Sequence, residues 1–478
     1  MHVQEIKRFF HLDQQFYSIC CNFHRQNQFK ILDILVMGLF DRLFRVSNTD
    51  VSPELLSIKF GRYTDSYKTP LNYQAWEQSL ALFEEGKFLD AYRALFQYLR
   101  DENEDNVRWW TDNGVLRFEF QQGSKKITGF ANEDKFQAES RIAYSQALNV
   151  GFMRRLIERN FILQFSRFAL DPDNHLTILF DTPKVDASPH KLYMALREMA
   201  INADKQDDLL LDEFKMLQAV EADHLQEIPL AEKEAKYKFI QEEISNTILE
   251  VNQGPLNRDQ YPGAIAYLLL HLVFKLDYLI KPEGYMMEEL ERIQRQYFTK
   301  ENKTNIDKNL ALAKDLQKLL ERPKEEFFKE LYRVRCTFGI TTPVTHDKLV
   351  SLIDTELPQM DWYCENGYPK VALSIPGFIV SSGLFNYALP KPDRDLLHLY
   401  MQVTESGYFR ALGFKNDLLD LATSIPNRRA IKRAIEDIVE DNQEKFPRFA
   451  PRLSEVDFSS LPNFARTYLI MIKGLDLN

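Results

Sequence analysis

Two histidines and two serines in the carboxy-terminal half have side chains suited to nucleophilic or acid–base chemistry. His271 stands in an apolar run between Leu270 and Leu272, Ser381-Ser382 precede Gly383, and His398 follows. An imidazole takes a proton from a serine hydroxyl only when the two meet within hydrogen-bonding reach. No local spacing brings these four residues together, and a lone histidine among leucines reads first as a core residue with a backbone partner. Glu221-x-x-His224 puts two metal-ligand types on one helical face. A di-metal bundle needs that motif twice, with two further inward glutamates, and the chain holds one copy; a solvated acidic helix end is the plainer reading. Asp171 and Asp173 invite calcium, but the twelve-residue ligand series is missing. Asp171-Pro172-Asp173-Asn174 has instead the composition of a turn, with proline presetting φ and Asp and Asn bonding their own backbone. Phosphate-binding glycine loops, the Gly-x-Ser-x-Gly elbow and His-Glu-x-x-His are all absent. Arg428, Arg429, Lys432 and Arg433 are followed at once by Glu436, Asp437, Glu440 and Asp441, a salt-bridged helix surface. Catalytic residues, metal ligands and cofactors are therefore expected to be none. Two alternatives stay open: an enzyme whose site is assembled in the helical half around His271, Ser381, Ser382 and His398, and a metal-binding helical bundle.

Trp109 and Trp110 point to a different kind of work. Adjacent strand residues face opposite sides of a sheet, so both enter a core only if the sheet is covered twice. One of them is otherwise exposed, and Trp is over-represented at interface hot spots. They are the candidate interaction anchors, with core packing under flanking helices as the competing reading.

The elements that position them lie between Val107 and Glu213. Val107 to Trp110 starts a strand, Asn113-Gly114 is a strong hairpin signal, and Leu116, Phe118 and Phe120 alternate with Val115, Arg117 and Glu119. Ile127 to Phe130 and Ser140 to Ala147 read as further strands, and Val150 to Arg159 as a helix burying Phe152, Leu156 and Met153. Phe161 to Leu170 reads as the next strand, and Leu176, Ile178 and Phe180 as the inner face of its return. Ser188-Pro189 starts a helix with serine as N-cap and proline at the first position, and Leu192, Leu196 and Met199 form its apolar stripe. Asp204 to Val220 is expected to continue as helix after a break.

The hairpin Phe161–Asp181 with its Asp-Pro-Asp-Asn turn, followed by Ser188-Pro189 and a long helix, resembles the YbjN-like family, which shares a fold with type III secretion chaperones. The resemblance covers about a quarter of the chain. It implies an antiparallel sheet flanked by helices that binds another polypeptide, and it carries over no catalytic residue.

Composition bounds the rest. The chain has 478 residues, 45% hydrophobic and 27% charged, which is ordinary for a globular protein. The net charge of −10 argues against nonspecific binding to nucleic acid or an anionic membrane. Cys20, Cys21, Cys336 and Cys364 make neither a disulfide framework nor a zinc spacing, so free thiols are expected. With no secretory signal evident, a cytoplasmic location is expected, with a protein partner or self-association, no nucleic acid and no membrane span.

Residues 1–73 form an amino-terminal helical segment, in which Met37-Gly38-Leu39-Phe40 reads as an alternative start that would make residues 1–36 a misassigned extension. The competing reading there is a helix from Phe29 to Arg45. Tyr73 to Leu99 is a helical pair with Gly86 at the crossing and Ala91 at the contact, similar to one tetratricopeptide unit; solenoids need about three such units. Residues 74–220 make the YbjN-like α+β domain. Residues 221–340 and 341–478 are expected to be helical, as one unit or as two. In them Pro262 to Ile280 is the most apolar stretch, interrupted by Lys275 and Asp277, and reads as a buried central helix rather than a span. Lys324 to Cys336 is expected to be helix. The fold class is thus α+β: an antiparallel sheet flanked by helices, followed by a mostly α-helical region.

Overall fold

Thr69 and Pro70 show how local signals set the first element. Thr69 Oγ1 accepts from the Asn72 amide at 3.2 Å, Pro70 occupies the first helical position, and α1 runs Pro70–Glu84. Gly86, at φ +76, reverses the chain into α2, Phe88–Leu99. Fully buried Ala91 lets the two helices approach, and Ser79 donates to the Ala91 carbonyl at 2.7 Å. The computed structural model describes residues 58–62, 68–101, 104–146, 150–220, 224–300 and 303–477. The alternative start at Met37, the helix Phe29–Arg45, Cys20, Cys21 and Glu221 lie outside them. The described residues belong to one unit, Ser57–Asn478.

Four strands follow: β1 Val107–Asp112, β2 Val115–Gly123, β3 Lys125–Ala131 and β4 Lys135–Ser145. Asn113 and Gly114 both take positive φ, 49° and 79°, in the two-residue β1–β2 turn. Helix α3 is Val150–Asn160, β5 Arg167–Leu170, β6 His175–Pro183, α4 Pro189–Glu213 and β7 Leu217–Ala219. The sheet is antiparallel in the order β1-β2-β3-β4-β6-β5, with β7 beside the end of β4. Its inner face is the alternating one. Leu116, Phe118, Phe120, Phe136, Ile178 and Phe180 are buried under Leu192, Leu196 and Met199 of α4 and Phe96 of α2. Phe118 lies 4.7 Å from Phe96 and 5.0 Å from Phe136, ring to ring. Burying each such side chain stabilises by about 1.5–3 kcal/mol.

The structure corrects three expectations. Phe161 to Ser166 is not strand. The amides of Gln164, Phe165 and Ser166 all donate to the Glu198 carboxylate, at 2.7, 3.0 and 2.9 Å, so they are unavailable to a ladder; Phe161 is left 93% exposed. Helix α4 does not break near Asp204 but runs unbroken to Glu213, and the chain then turns extended into β7. The expected helix Lys324–Cys336 stops at Lys329.

The helical half contains β8 Gln226–Glu227, α5 Leu230–Gln253, α6 Pro262–Ile280, α7 Gly284–Phe298, α8 Asn305–Leu320 and α9 Lys324–Lys329. Then come β9 Tyr332–Arg333, which pairs with β8, and β10 Arg335–Cys336, which pairs with β2 at Gly123 and Gln122. Beyond them are β11 Thr342–Pro343, α10 His346–Glu356, α11 Gln359–Glu365, α12 Pro369–Asn386, β12 Tyr387–Ala388, α13 Lys391–Thr404 and α14 Ser406–Ala411. A small β13–β14 hairpin (Leu419–Asp420, Ile425–Pro426), α15 Arg428–Asn442 and α16 Leu461–Lys473 close the chain. Helix α6 is the hub, packed against α5, α7, α8 and α12. It is long and apolar enough to cross a membrane, yet most of it is buried inside the bundle. The two charges that interrupt it are paired there: Lys275 with Glu243 and Glu405, and Asp277 with Arg62. The run Ile375–Gly383, broken by small residues in sequence, is buried helix, and its Pro376 sits inside α12.

Candidate functional site

Strand β1 is an outer strand of the sheet, and its exposed flank follows from the turn chemistry. A two-residue hairpin closes on a hydrogen-bonded pair, here Asp112 and Val115. Alternation then directs the amides and carbonyls of Trp109 and Thr111 away from β2. Among the described residues neither backbone has a hydrogen-bond partner on that side. Side chains alternate as well. Trp109 turns toward α2, its ring 6.1 Å from Phe96 with the Arg100 guanidinium 5.8 Å over it. Trp110 turns to the open face and is 46% exposed. Around it the open face is ion-paired: Arg108 with Asp105 at 2.8 Å, Arg117 with Asp112 at 3.4 Å, and Arg167 with Asp181 across the sheet. The Arg108 hydrogen bond holds the Asp105 carboxyl below its ordinary value.

The opposite outer strand is built differently. The Asn160 side-chain amide accepts from the Phe168 N–H at 2.6 Å and donates to the Phe168 carbonyl at 3.3 Å. One side chain thus occupies both outward backbone groups of Phe168 in the middle of β5, a device that hinders another strand from adding there. Nothing comparable covers β1 among the described residues. The sequence shows Asn160 only as the end of a helix, so the contrast between the two edges could not be read from it.

Of the candidate chemistry in the helical half, one pair meets and the other two residues bond elsewhere. His271 Nδ1 lies 3.2 Å from Ser381 Oγ, a contact no sequence spacing indicated. The serine hydroxyl also bonds the Gly377 carbonyl of its own helix, at 2.7 Å. Burial holds the His271 imidazole well below its ordinary pKa, hence neutral, and a β-carbon on Gly377 would strike its ring. His398 instead meets the Tyr278 hydroxyl at 2.9 Å and Gln402 at 3.2 Å, its pKa pushed down to about 4 by burial. Ser382 accepts from Asn386. These four residues do not converge on one pocket, as an assembled active site requires.

Asp171, Asp173 and His175 bring three potential metal ligands together, two carboxylates and an imidazole. The Asp171 carboxylate is already engaged by the amides of Asp173 and His175, at 2.9 and 2.8 Å, and by the His175 ring at 3.0 Å. This is the hairpin turn closing on itself, with Asn174 at φ 65. Between α7 and α8 a cavity of about 490 Å³ is lined by Tyr285, Arg292, Asp315 and Arg322 among others. Its charges face one another: Arg292 bonds Glu289 and Asp315, and Arg322 pairs with Glu330 over the Tyr285 ring.

No protein-family model matches the chain, and no curated protein sequence matches it.

Proposed function

We propose that the α+β module of this protein, about residues 74–220, binds a polypeptide by accepting it as an added strand along β1, with Trp110 as the side-chain anchor. The open β1 edge carries this reading. Its Trp109 and Thr111 backbone groups turn outward beside a Trp110 that is 46% exposed, while on the other edge Asn160 caps Phe168. Strand addition takes affinity from main-chain hydrogen bonds and specificity from alternate side chains. The role agrees with the chaperone-like work that a YbjN-like resemblance implies, and the free thiols of Cys336 and Cys364 suit a reducing cytoplasm.

The test pans a displayed library of extended peptides against the full chain. Selected peptides should slow hydrogen exchange at the Trp109 and Thr111 amides. Their affinity should fall about tenfold or more in Trp110→Ala, the loss of an anchor worth about 1.4 kcal/mol or more. Peptides that protect other amides and bind Trp110→Ala equally well would overturn the proposal. A concentration-dependent protection of the same amides without peptide would identify a second copy of the chain as the partner.

A further inference from the structure

The phase of the β1 backbone is fixed at both ends. Asp112 faces Val115 across the hairpin turn, and at the other end the Gln121 amide donates to the Asn106 carbonyl at 3.0 Å. Even-numbered positions therefore turn their backbone groups to β2, while Val107, Trp109 and Thr111 turn theirs outward. Side chains alternate on the same beat. Arg108, Trp110 and Asp112 project from the open face. Trp109 and Thr111 lie on the α2 side, Trp109 against Phe96 and Thr111 within 3.0 Å of Arg93.

The open-face residues of β1 have opposite charges placed evenly about Trp110. The side chains of Arg108 and Asp112 are 56% and 51% exposed, so all three can meet a partner. Arg108 bonds Asp105 through Nε and Nη2, and its Nη1 stays 3.8 Å from Glu119; Asp112 has Arg117 at 3.4 Å. A strand added here satisfies both ends if it sets a carboxylate beside Arg108 and a guanidinium beside Asp112. An antiparallel second copy of β1 does so. Outward backbone must face outward backbone, which limits the register. Trp109 opposite Trp109 would put Arg108 against Trp110, and Thr111 opposite Thr111 would put Trp110 against Asp112. Trp109 opposite Thr111 puts Arg108 against Asp112, Trp110 against Trp110, and Asp112 against Arg108. These are the non-hydrogen-bonded positions of the new pair, where facing side chains come closest.

We propose that the strand β1 accepts is β1 of a second copy of this chain, antiparallel, with Trp109 facing Thr111 and Trp110 on the two-fold axis. This rests on the reading of β1 as a strand acceptor and names its partner. Trp109 and Thr111 of the two copies exchange their N–H···O=C bonds, the two Trp110 rings meet on the open face, and an Arg108–Asp112 pair closes each side. The contact is isologous, each residue meeting the same partner in both directions. Charges along an edge ordinarily deter pairing. Here their signs suit a partner with the same order of residues, which favours a second copy over an unrelated strand. One short strand from each copy makes a small interface, of the weak and reversible class.

The experiment is sedimentation equilibrium of the full chain from micromolar to millimolar concentration, with hydrogen exchange read at the Trp109 and Thr111 amides. Wild type should dimerise reversibly and protect those amides as the dimer forms. Arg108→Asp and Asp112→Arg each set like charges together on both sides of the axis, and each should weaken association by about tenfold. The double variant, Arg108→Asp with Asp112→Arg, exchanges the members of both pairs and should recover it, which a misfolded chain would not. A wild type that stays monomeric while selected peptides protect the same amides would overturn the self-pairing and leave strand acceptance standing. A monomer whose β1 amides no peptide protects would overturn both. A dimer that the single variants leave intact, or that the double variant fails to restore, would overturn the self-pairing.

Discussion

Phe338 meets Phe120 edge-on, ring centroids 5.7 Å apart, and so closes a sheet core whose other members lie far earlier in the chain. The segment behind it is zipped to β2. Gln122 Oε1 accepts from the Thr337 and Phe338 amides at 3.2 and 2.9 Å, its Nε2 donates to the Phe338 carbonyl at 3.3 Å, and Thr337 donates to the Gln121 carbonyl at 2.8 Å. Arg197 on α4 reaches past it to the Gly339 carbonyl at 2.8 Å. Sheet and bundle thus share residues.

Phe338→Ala should destabilise the full chain by about 3–5 kcal/mol, because the site is fully buried and ringed by Phe120 and Tyr193. Urea unfolding followed by fluorescence and by circular dichroism checks this. A fragment ending at Val220 should be weaker than the same module in the full chain, since Gln122 would be left without its partners.

Arg62 is the counter-ion for Asp277 and Glu291, both buried in the bundle, with its Nε donating to Asp277 at 2.9 Å. Arg62→Ala should cost about 3–5 kcal/mol by stranding those carboxylates. Burial opposes ionisation of Glu291, but Arg62 and Lys205 outweigh it and hold that carboxyl at about 2. A lowered value stabilises above the ordinary carboxylate range and is lost as pH falls toward 2, so Arg62→Ala should also move the acid-unfolding midpoint to higher pH.

His346 Nδ1 lies 2.8 Å from Asp393, which is fully buried on α13. Burial opposes charge on the imidazole, yet the hydrogen bond and charge of Asp393 raise it above its ordinary value. That contribution is complete below the ordinary imidazole value and is lost as pH rises through the folded one. The His346 ring signal in an NMR titration should move at higher pH than a free imidazole, and Asp393→Asn should bring it down.

Trp109 and Trp110 should separate cleanly in stability. Trp109→Ala should cost about 2–3 kcal/mol, since the ring packs against Phe96 and under Arg100. Trp110→Ala should stay within about 0.5 kcal/mol, as expected of an exposed position outside any core or network. Thermal melts of the two variants distinguish them.

Much of this architecture was legible because it is encoded locally. The alternation at Leu116, Phe118 and Phe120, the Asn113-Gly114 turn, and the Ser188 cap, which accepts from the Lys191 amide at 3.3 Å, each need only neighbouring residues to act. Where local pattern misled, a distant side chain had intervened. Glu198 took the amides of Gln164 to Ser166 and ended a strand that its own apolar alternation supported. Helix Lys324–Lys329 stopped short because Arg335 to Phe338 had a better partner in β2.

The candidate sites divide the same way. That Trp109 and Trp110 face opposite sides of a strand follows from sequence alone, because side chains alternate with a period of two. Which of them is covered depends on α2 lying on one face only. The open edge of β1 and the capped Phe168 of β5 differ through Asn160, and the contact of Gln122 with Thr337 and Phe338 depends on the bundle folding back onto a strand it follows by many residues. Periodicity, turn chemistry and caps are properties of adjacent residues, and the sequence alone determined them. Edge exposure, buried charge and shared cores are properties of what packs against what, and only the tertiary structure decided them.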